Sequence, residues 1–466
     1  AHNKSQRATI SEVEPSDESV TTFNLGVSQN LPAGGDYFLG LNNSRSTTVG
    51  RFVDISPAYQ PSLIFQATQP LLRDFGVDVQ QRGILIARNT LGVNHELFRT
   101  ALMNTAVSVE QAYLDLVYTR RAVEVVKESL FLARDQARIT QIRIDVGASA
   151  PLDILQPRVT IATSEEQLIL AVANVRDAED RLRALLNLPR DQWSRPIIPT
   201  ETVDYAPMNV DLEASVSRAL ELRPEVRQAA LVTDTREVQH LFARNQALPQ
   251  VDFTINYNAA GVAGRALIEV DPITGLPIYE TTPDTDALQQ VFGNEFPTWT
   301  FGFNLEVPFT NVGARAEARR AKLDLDRSMT DQEQTRQTIM LAVRAAVRDI
   351  DTASRTIVAS RTARDAAERN LEAERRRYEN GMTTNFQVLQ IQQQLSDARV
   401  RELQALVGYR AAVANYHREV GDILQVRGIA VEEPELAREP RVFTMFDRLS
   451  WLNYGDPATE GELSRR

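Results

Sequence analysis

The chain has 466 residues, 43% of them hydrophobic, so it is long enough for several domains or for one elongated body. Its net charge of −11 argues against a nucleic-acid-binding protein, and the absence of cysteine excludes disulfides, thiolate catalysis and cysteine zinc sites. No apolar run approaches the ~20 residues of a membrane-spanning helix, whereas a membrane strand needs only about 10 residues and leaves a weaker signal.

The chain opens with segments that predict β-strands. The runs TTFNLGVSQ (21–29) and DYFLGLN (36–42) flank a Pro-Ala-Gly-Gly turn, which is typical of a hairpin. A further run, SLIFQATQPL (62–71), alternates apolar and polar residues and contains a proline, which cannot continue a strand ladder. Residues 1–72 are therefore predicted to form strands with one apolar and one polar face.

A very long helix is predicted next. Its signal is an apolar residue at every seventh position, namely Leu102, Val109, Leu116, Val123, Leu130, Ala137 and Ile144. This spacing keeps an apolar seam on one side of a helix that packs as a coiled coil. A helix over 77–146 would be roughly 100 Å long. This helix and a return helix that ends near Pro189 together predict a helical hairpin over 73–189. The following segment, 190–209, has the composition of a linker.

The second half begins with a helix predicted over 210–247. A break is expected near Arg223, because Pro224 follows it and removes a backbone donor. Alternating runs then predict strands at 251–257 and 300–309.

These two strands belong to a region over 248–309. The stretch between them, 259–297, is rich in Gly, Pro, Asp and Thr and is predicted to be a loop. A second long helical hairpin is predicted over 310–424, and the polar tail 425–466 is predicted to be peripheral.

The two halves share a sequence pattern. RIDVGASAPLDILQ (143–156) and RYENGMTTNFQVLQ (377–390) both begin with Arg, carry Gly at the fifth position and end in Leu-Gln. Gly147 and Gly381 suit a helix end with positive φ. The same spacing, applied to the heptad positions of the first helix, gives a second seam with one polar interruption, Arg364. The residues of this seam are Val343, Ile350, Ile357, Arg364, Leu371 and Tyr378. The chain is thus predicted to be mainly α and to use one unit of strand, long helix, turn and long helix twice.

Strands attached to such helices have few ways to bury an apolar face. They can do so in a sandwich or, in lipid, as a closed barrel. One chain has too few strands to close a barrel alone, so the membrane hypothesis predicts an oligomer.

Five further short sequence motifs, together with the doubled turn motif, resemble those of a known family. In chain order these are QPLLRDFG (69–76), AYLDL (112–116), LRALLNLP (182–189), ALELRPEVRQA (219–229) and LPQVDFTINY (248–257). From Thr21 to about Leu424 the chain resembles the outer-membrane efflux protein family, of which TolC is the namesake.

The resemblance implies a homotrimer in the bacterial outer membrane. Its β-barrel would contact outer-membrane lipid and continue into an α-helical tunnel across the periplasm, with 259–297 as an extracellular loop. A periplasmic adaptor protein and an inner-membrane pump are the implied partners. Family members carry a helix and a first strand before the first hairpin, and we expect this chain to lack both.

The resemblance also places a gate at the periplasmic tips of the hairpins. By position, Tyr378 and Asp153 would form its latch, since one hydrogen bond between a tyrosine and a carboxylate is modest enough for a docking partner to break. Flanking charged residues could add exposed ion pairs of less than ~1 kcal/mol each; these are Arg143, Asp145, Arg377 and Glu379. The narrowest ring would consist of Thr383, Gln387 and Gln390, which is neutral and should bind cations weakly.

Two classes of function follow. The first is a passive conduit, the exit duct of a tripartite efflux or type I secretion system. The alternative is a periplasmic coiled-coil adaptor or scaffold without channel activity, which would carry one hairpin in a compact β domain. An enzyme is not supported, since there is no Gly-rich phosphate loop or Gly-x-Ser-x-Gly motif and the four histidines are scattered. No cofactor or metal and no nucleic-acid partner are expected.

Overall fold

The structure is a computed structural model that describes residues 2–5, 16–49, 55–200, 204–270, 273–274 and 277–432. The chain divides into two compact units. Unit 1 comprises Ala1–Thr90 and Val232–Met329, and unit 2 comprises Leu91–Leu231 and Thr330–Arg466. Among the helices of the described ranges, none is long and apolar enough to cross a membrane.

Unit 1 is built on an antiparallel sheet. Its strands in the described residues are β1 (His2–Ser5), β2 (Ser16–Asn30), β3 (Asp36–Val49), β4 (Ile55–Pro70), β5 (Gln250–Ala260), β6 (Ala263–Val270), β7 (Pro277–Thr281) and β8 (Pro297–Glu306). They lie in the order β1-β2-β3-β4-β5-β8, while β6 pairs with β4 and β7 off this path. The sequence-predicted strands correspond to β2, β3, β4, β5 and β8. Before β2, the described residues hold β1 and no helix.

One face of this sheet is apolar across neighbouring strands. Val27 on β2 pairs with Leu39, Leu39 with Phe65, Phe65 with Tyr257 and Tyr257 with Trp299 on β8. Because side chains alternate between faces, these five residues lie in one row on one side. The Tyr257 and Trp299 rings lie 4.5 Å apart between centroids. Trp299 remains 56% exposed, so the described residues leave this face open.

The segment predicted as a loop, 259–297, contains regular structure. It holds the hairpin of β6 and β7 and a helix, α6 (Asp284–Phe292). α6 buries Ala287 and Val291, and Gly261 lies so close to the Ala287 carbonyl that a Cβ would collide with it. The glycine that suggested a loop therefore permits a close approach of two segments.

The helices of the described residues bear out the predicted doubled unit. They are α1 (Val77–Gln80), α2 (Arg82–Asp145), α3 (Leu155–Leu185), α4 (Leu212–Leu222), α5 (Pro224–Gln246), α6, α7 (Val312–Glu379), α8 (Asn385–Val420) and α9 (Ile423–Val426). Helices α2 and α3 form the first hairpin, and α7 and α8 form the second. The expected break lies between α4 and α5, where Arg223 is extended (φ −65°, ψ 126°).

The heptad seams are buried in unit 2. Leu116, Val123 and Leu130 on α2 are buried, and Leu116 packs with Ala178 and Leu182 of α3. On α7 the buried seam residues are Val343, Ile350, Ile357, Leu371 and Tyr378. The polar interruption at Arg364 pairs with Glu402 of α8, 2.9 Å away. The residue that interrupts the apolar seam thus forms an ion pair between the two helices of its hairpin.

The start of the predicted tail is ordered against α2. Val431 of the predicted tail packs against the cluster of Met103, Val107, Ile423 and Leu424, and Arg427 forms an ion pair with Glu110 of α2. The rest of the predicted tail, 433–466, lies outside the described residues.

Candidate functional site: the two hairpin tips

Both hairpins turn through the same backbone motif. At the first tip Gly147 has φ +78°, its N–H donates to Ile144, and the Ala148 N–H donates to Arg143. At the second tip Gly381 has φ +72°, its N–H donates to Tyr378, and the Met382 N–H donates to Arg377. These paired bonds and the left-handed glycine form a Schellman end, which satisfies carbonyls that the helix leaves free. The two motifs predicted from the repeat therefore share one geometry.

The helices that return from the tips start differently. At the first tip a short 3-10 turn, Pro151–Ile154, precedes α3, and the Asp153 carboxylate accepts the Ala150 N–H at 3.1 Å. At the second tip Thr384 caps α8 directly, and its hydroxyl accepts the Gln387 N–H at 3.4 Å. Asp153 thus caps the turn in which it lies.

Arg143 of the first hairpin holds Tyr378 of the second. Its Nη1 donates to the Tyr378 carbonyl oxygen at 2.6 Å, and its guanidinium carbon lies 4.6 Å from the centre of the tyrosine ring. Tyr378 is only 5% exposed. One arginine therefore makes a charge-assisted hydrogen bond and a cation–π contact to the same residue.

The Tyr378 hydroxyl points to Thr140, not to Asp153. The two hydroxyl oxygens are 3.5 Å apart. Because Thr140 donates to the Gln136 carbonyl at 2.8 Å, the tyrosine is the donor of this long contact. The hydrogen bond expected between Tyr378 and Asp153 is not formed within this chain.

A buried amide pair beside this contact was not anticipated from the sequence. Gln136 Nε2 of α2 donates to Asn385 Oδ1 of α8 at 2.7 Å, and both residues are buried. Asn385 Nδ2 also lies 3.5 Å from the Asp153 carbonyl oxygen, so it reaches both arms of the first hairpin. The signal available in the sequence was a glutamine directly beside the seam residue Ala137.

Three of the remaining predicted gate residues contact partners within their own hairpin. Asp145 accepts from Gln141 at 2.8 Å, and Arg377 lies 3.5 Å from the carboxylate of the buried Glu374. Thr383 donates to that same Glu374, whereas Glu379 is exposed.

The two glutamines of the predicted ring are exposed. Gln387 and Gln390 lie three residues apart on α8, which places them on one side of that helix.

Further from the tips, an ionic contact also joins the hairpins. Arg399 of α8 lies 2.6 Å from Glu128 of α2 and 2.7 Å from Glu368 of α7. The hydrogen bond from Arg399 holds the pKa of Glu368 below its ordinary value of 4.5. Within the described residues no group of three or more histidine, aspartate or glutamate side chains could hold a metal.

Each tip carries large apolar side chains that the chain leaves exposed. Val146 is 72% and Leu152 75% exposed at the first tip, and Met382 is 70% and Phe386 59% exposed at the second.

Comparison with known proteins shows which family this chain resembles. The family model described as outer membrane efflux protein matches residues 38–188 and 215–417, which cover the first hairpin and all but the last three residues of the second. The chain is 22% identical over 337 residues to the outer membrane efflux protein BepC of Brucella suis biovar 1, covering 72% of this chain and 67% of that protein. It is 23% identical to the pyoverdine export outer membrane protein OpmQ of Pseudomonas putida, covering 66% of this chain and 60% of that protein.

The fold agrees with that of a solved outer-membrane protein. The outer membrane protein VceC of Vibrio cholerae superposes with a TM-score of 0.59 at 14% identity, over 87% of each chain. At this identity the likeness establishes the fold. Since the family model matches most of the chain, the chain belongs to the outer membrane efflux protein family.

Proposed function

We propose that this chain forms the outer-membrane exit duct of a tripartite efflux or type I secretion system. Three copies would form a passive conduit, and an inner-membrane pump would supply the energy through a periplasmic adaptor. One observation carries the proposal: strands of a sheet with an exposed apolar face continue in sequence into a long helical hairpin, and this occurs twice in the chain. Family membership supports the outer-membrane location and the general use of adaptor and pump partners.

The exposed face of the sheet suits contact with lipid. On β8, Trp299, Phe301, Phe303 and Leu305 all point to one side, while Thr300, Gly302 and Asn304 point to the other. This alternation is the pattern of a strand between lipid and a polar interior. An adaptor or scaffold has no need for it, which favours the conduit over that alternative.

We assign the gate to the hairpin tips, with residue roles refined by the geometry. Arg143 and Gln136 of the first hairpin would hold the second hairpin in place through Tyr378 and Asn385. Opening would require these contacts to break, because each joins two hairpins that must separate.

The narrowest ring would be neutral. Gln387 and Gln390 would face the opening, and Thr383 would steady the turn through Glu374. The exposed apolar residues of the tips, Leu152 and Met382 among them, would meet the adaptor. We assign no catalytic activity and no cofactor to the chain.

The test is extraction and reconstitution. The protein, expressed in a bacterial outer membrane and extracted in detergent, should have the mass of a trimer and produce discrete conductance steps in planar lipid bilayers. A soluble monomer, or a membrane protein that never conducts, would overturn the conduit.

A further inference from the structure

The apolar face of the sheet ends at an arginine. We call the end at which β4 leads into the helices the helical end, because β5 follows α5 and β8 leads into α7 at the same end. Among the described residues, the strands β2, β3, β4, β5 and β8 place no charged side chain on this face between the helical end and the row of Arg45. On β3 the face consists of Tyr37, Leu39, Leu41, Asn43 and then Arg45, since every second side chain points to the same side.

Arg45 lies just beyond the last apolar row of this face. That row contains Phe23 of β2 and Pro61 of β4, which both pair with Asn43. Arg45 is two residues further along β3, which is about 7 Å along the strand and about 5 Å in height at a strand tilt of about 40°. The polar headgroup layer on each side of a bilayer is about 5 to 8 Å thick. With the apolar face in lipid, Arg45 would thus reach the headgroups.

A second arginine lies near Arg45 on the same face. Arg45 pairs with Tyr59 of β4, and Tyr59 pairs with Ala263 of β6. Arg265 is two residues along β6 from Ala263 and therefore points to the same side. With about 4.8 Å between strands and a rise of about 3.4 Å per residue, the Cα atoms of the two arginines are about 12 Å apart. Both side chains can therefore contact one lipid headgroup.

Each arginine lies against a tyrosine ring. The guanidinium carbon of Arg45 is 5.7 Å from the centre of the Tyr59 ring, and that of Arg265 is 4.0 Å from the centre of the Tyr279 ring. A guanidinium that stacks on a ring keeps the N–H groups along its edge available as donors. Both arginines are exposed, and within the described residues neither forms an ion pair. The two positive charges are therefore open to a ligand.

The carboxylates that follow Arg265 along the chain are directed elsewhere. Glu280 pairs with the residue after Arg265 and so lies on the opposite face. Asp284 accepts the next backbone N–H of its own helix, α6, at 3.0 Å. Glu269 and Asp286 form no ion pair with Arg265 in the part of the chain that the structure describes.

We propose that Arg45 and Arg265, each stacked on its tyrosine, bind the phosphate groups of a phosphorylated glycolipid in the outer leaflet. The acyl chains of this lipid would lie along the apolar face. The assignment rests on the proposed conduit, in which the helical end faces the periplasm and the arginines face the exterior. Phosphate suits this pair because a guanidinium donates two parallel N–H bonds to its oxygens. The apolar face beside the arginines suits a lipid and would contribute nothing to binding a free phosphate ion.

Native mass spectrometry of the detergent-extracted protein tests the site with two probes. One is lipid A with both of its phosphates, and the other is the same lipid after both phosphates have been removed. Because the second probe cannot accept the charge-assisted hydrogen bonds, the unmodified protein should bind the first at least about tenfold more tightly. Equal binding would overturn the proposal, since the apolar face alone would then hold the lipid.

Inorganic phosphate distinguishes the two sources of this chemistry. Added at the concentration of the lipid, it should not displace lipid A from the unmodified protein. Displacement would mean that the site takes a free ion, which would overturn the lipid as its ligand.

Variants locate the site. Arg45→Gln and Arg265→Gln should each weaken binding of phosphorylated lipid A by about tenfold, because each removes a charge-assisted contact. Arg45→Lys should lose less, since it keeps the charge but not the paired donors. The matched control is Arg320→Gln on α7, whose side chain is 75% exposed. The proposal is wrong if the double variant of Arg45 and Arg265 binds the lipid as tightly as this control.

Conductance of the unmodified protein in planar bilayers tests the conduit separately. A conducting oligomer that does not distinguish the two forms of lipid A would overturn this inference alone. A soluble monomer would overturn the conduit, and the lipid site with it.

Discussion

The two hairpin tips share a backbone and differ in the groups that they offer each other. Each reverses at a glycine of positive φ with the same pair of terminal hydrogen bonds. In the two shortest contacts the first hairpin supplies the donors, Arg143 and Gln136, and the second supplies the acceptors, the Tyr378 carbonyl and the Asn385 side-chain oxygen. The two repeats thus share the backbone of the turn. The contact between the hairpins, by contrast, depends on side chains that differ between the two repeats.

The largest expected effect comes from removing the donor that serves Tyr378. Arg143→Met deletes a charged hydrogen bond and a cation–π contact, so the local opening of the second tip should become easier by about 2 to 3 kcal/mol. Amide hydrogen exchange over 378–392 measures this opening. The control is Arg138→Met on the same helix, because the Arg138 side chain is 65% exposed and, among the residues that the structure describes, its ion pair is with Asp135. Equal exchange in both variants would refute the role of Arg143.

The amide pair should show coupling. Gln136→Leu leaves the Asn385 carbonyl without its buried donor and should cost about 2 kcal/mol in the same exchange experiment. Adding Asn385→Leu should recover part of that loss, because both polar groups are then gone. Gln141→Leu, which removes only an exposed contact to Asp145, is the control. Strictly additive losses would mean that the pair does not act as a unit.

The shared turn should respond alike at both tips. Gly147→Ala and Gly381→Ala should each destabilise their own tip by about 1 kcal/mol, because a left-handed conformation disfavours a Cβ. Gly408→Ala is the matched control, since Gly408 lies within α8 and a Cβ there meets nothing within 4 Å. It should stabilise its helix. Urea unfolding followed by circular dichroism separates these signs, and a neutral effect at both tips would contradict the turn geometry.

The ionic contact should be the weakest and the most sensitive to pH. The folded pKa of Glu368 is lowered, so its contribution is complete above the ordinary value of 4.5 and is lost as the pH falls through the folded pKa. Arg399→Met should therefore cost less than about 1 kcal/mol near neutral pH and less still in acid. Arg376→Met, which removes a pair within α7, should leave the association of the hairpins unchanged.

Much of the architecture was predictable because it depends on periodicity. Seven-residue spacing fixed which side of α2 and α7 is buried, and alternation identified β2, β4, β5 and β8. The hairpin and helix within 259–297 were missed because turn residues there serve a close approach at Gly261 and not a loop. The β1 strand lay in a polar run that carries no alternation.

The location of the site was predictable from the sequence, but the partners of its side chains were not. A shared motif located both tips, yet spacing cannot say which side chain of one hairpin reaches the other. Arg143 was expected as a flanking charge, and the structure makes it the main contact of Tyr378. Asp153 instead caps its own turn, a short-range bond that competes with any longer one.

Resting conductance in planar bilayers tests the central claim, that contacts between the two tips hold the entrance closed, most directly. We predict a low conductance for the unmodified protein, a clearly higher one for Arg143→Met, and little change for Tyr378→Phe, which keeps the ring and the carbonyl. Arg138→Met should match the unmodified protein. The account would be contradicted if Arg143→Met conducts like the control, or if loss of the Tyr378 hydroxyl alone opens the channel.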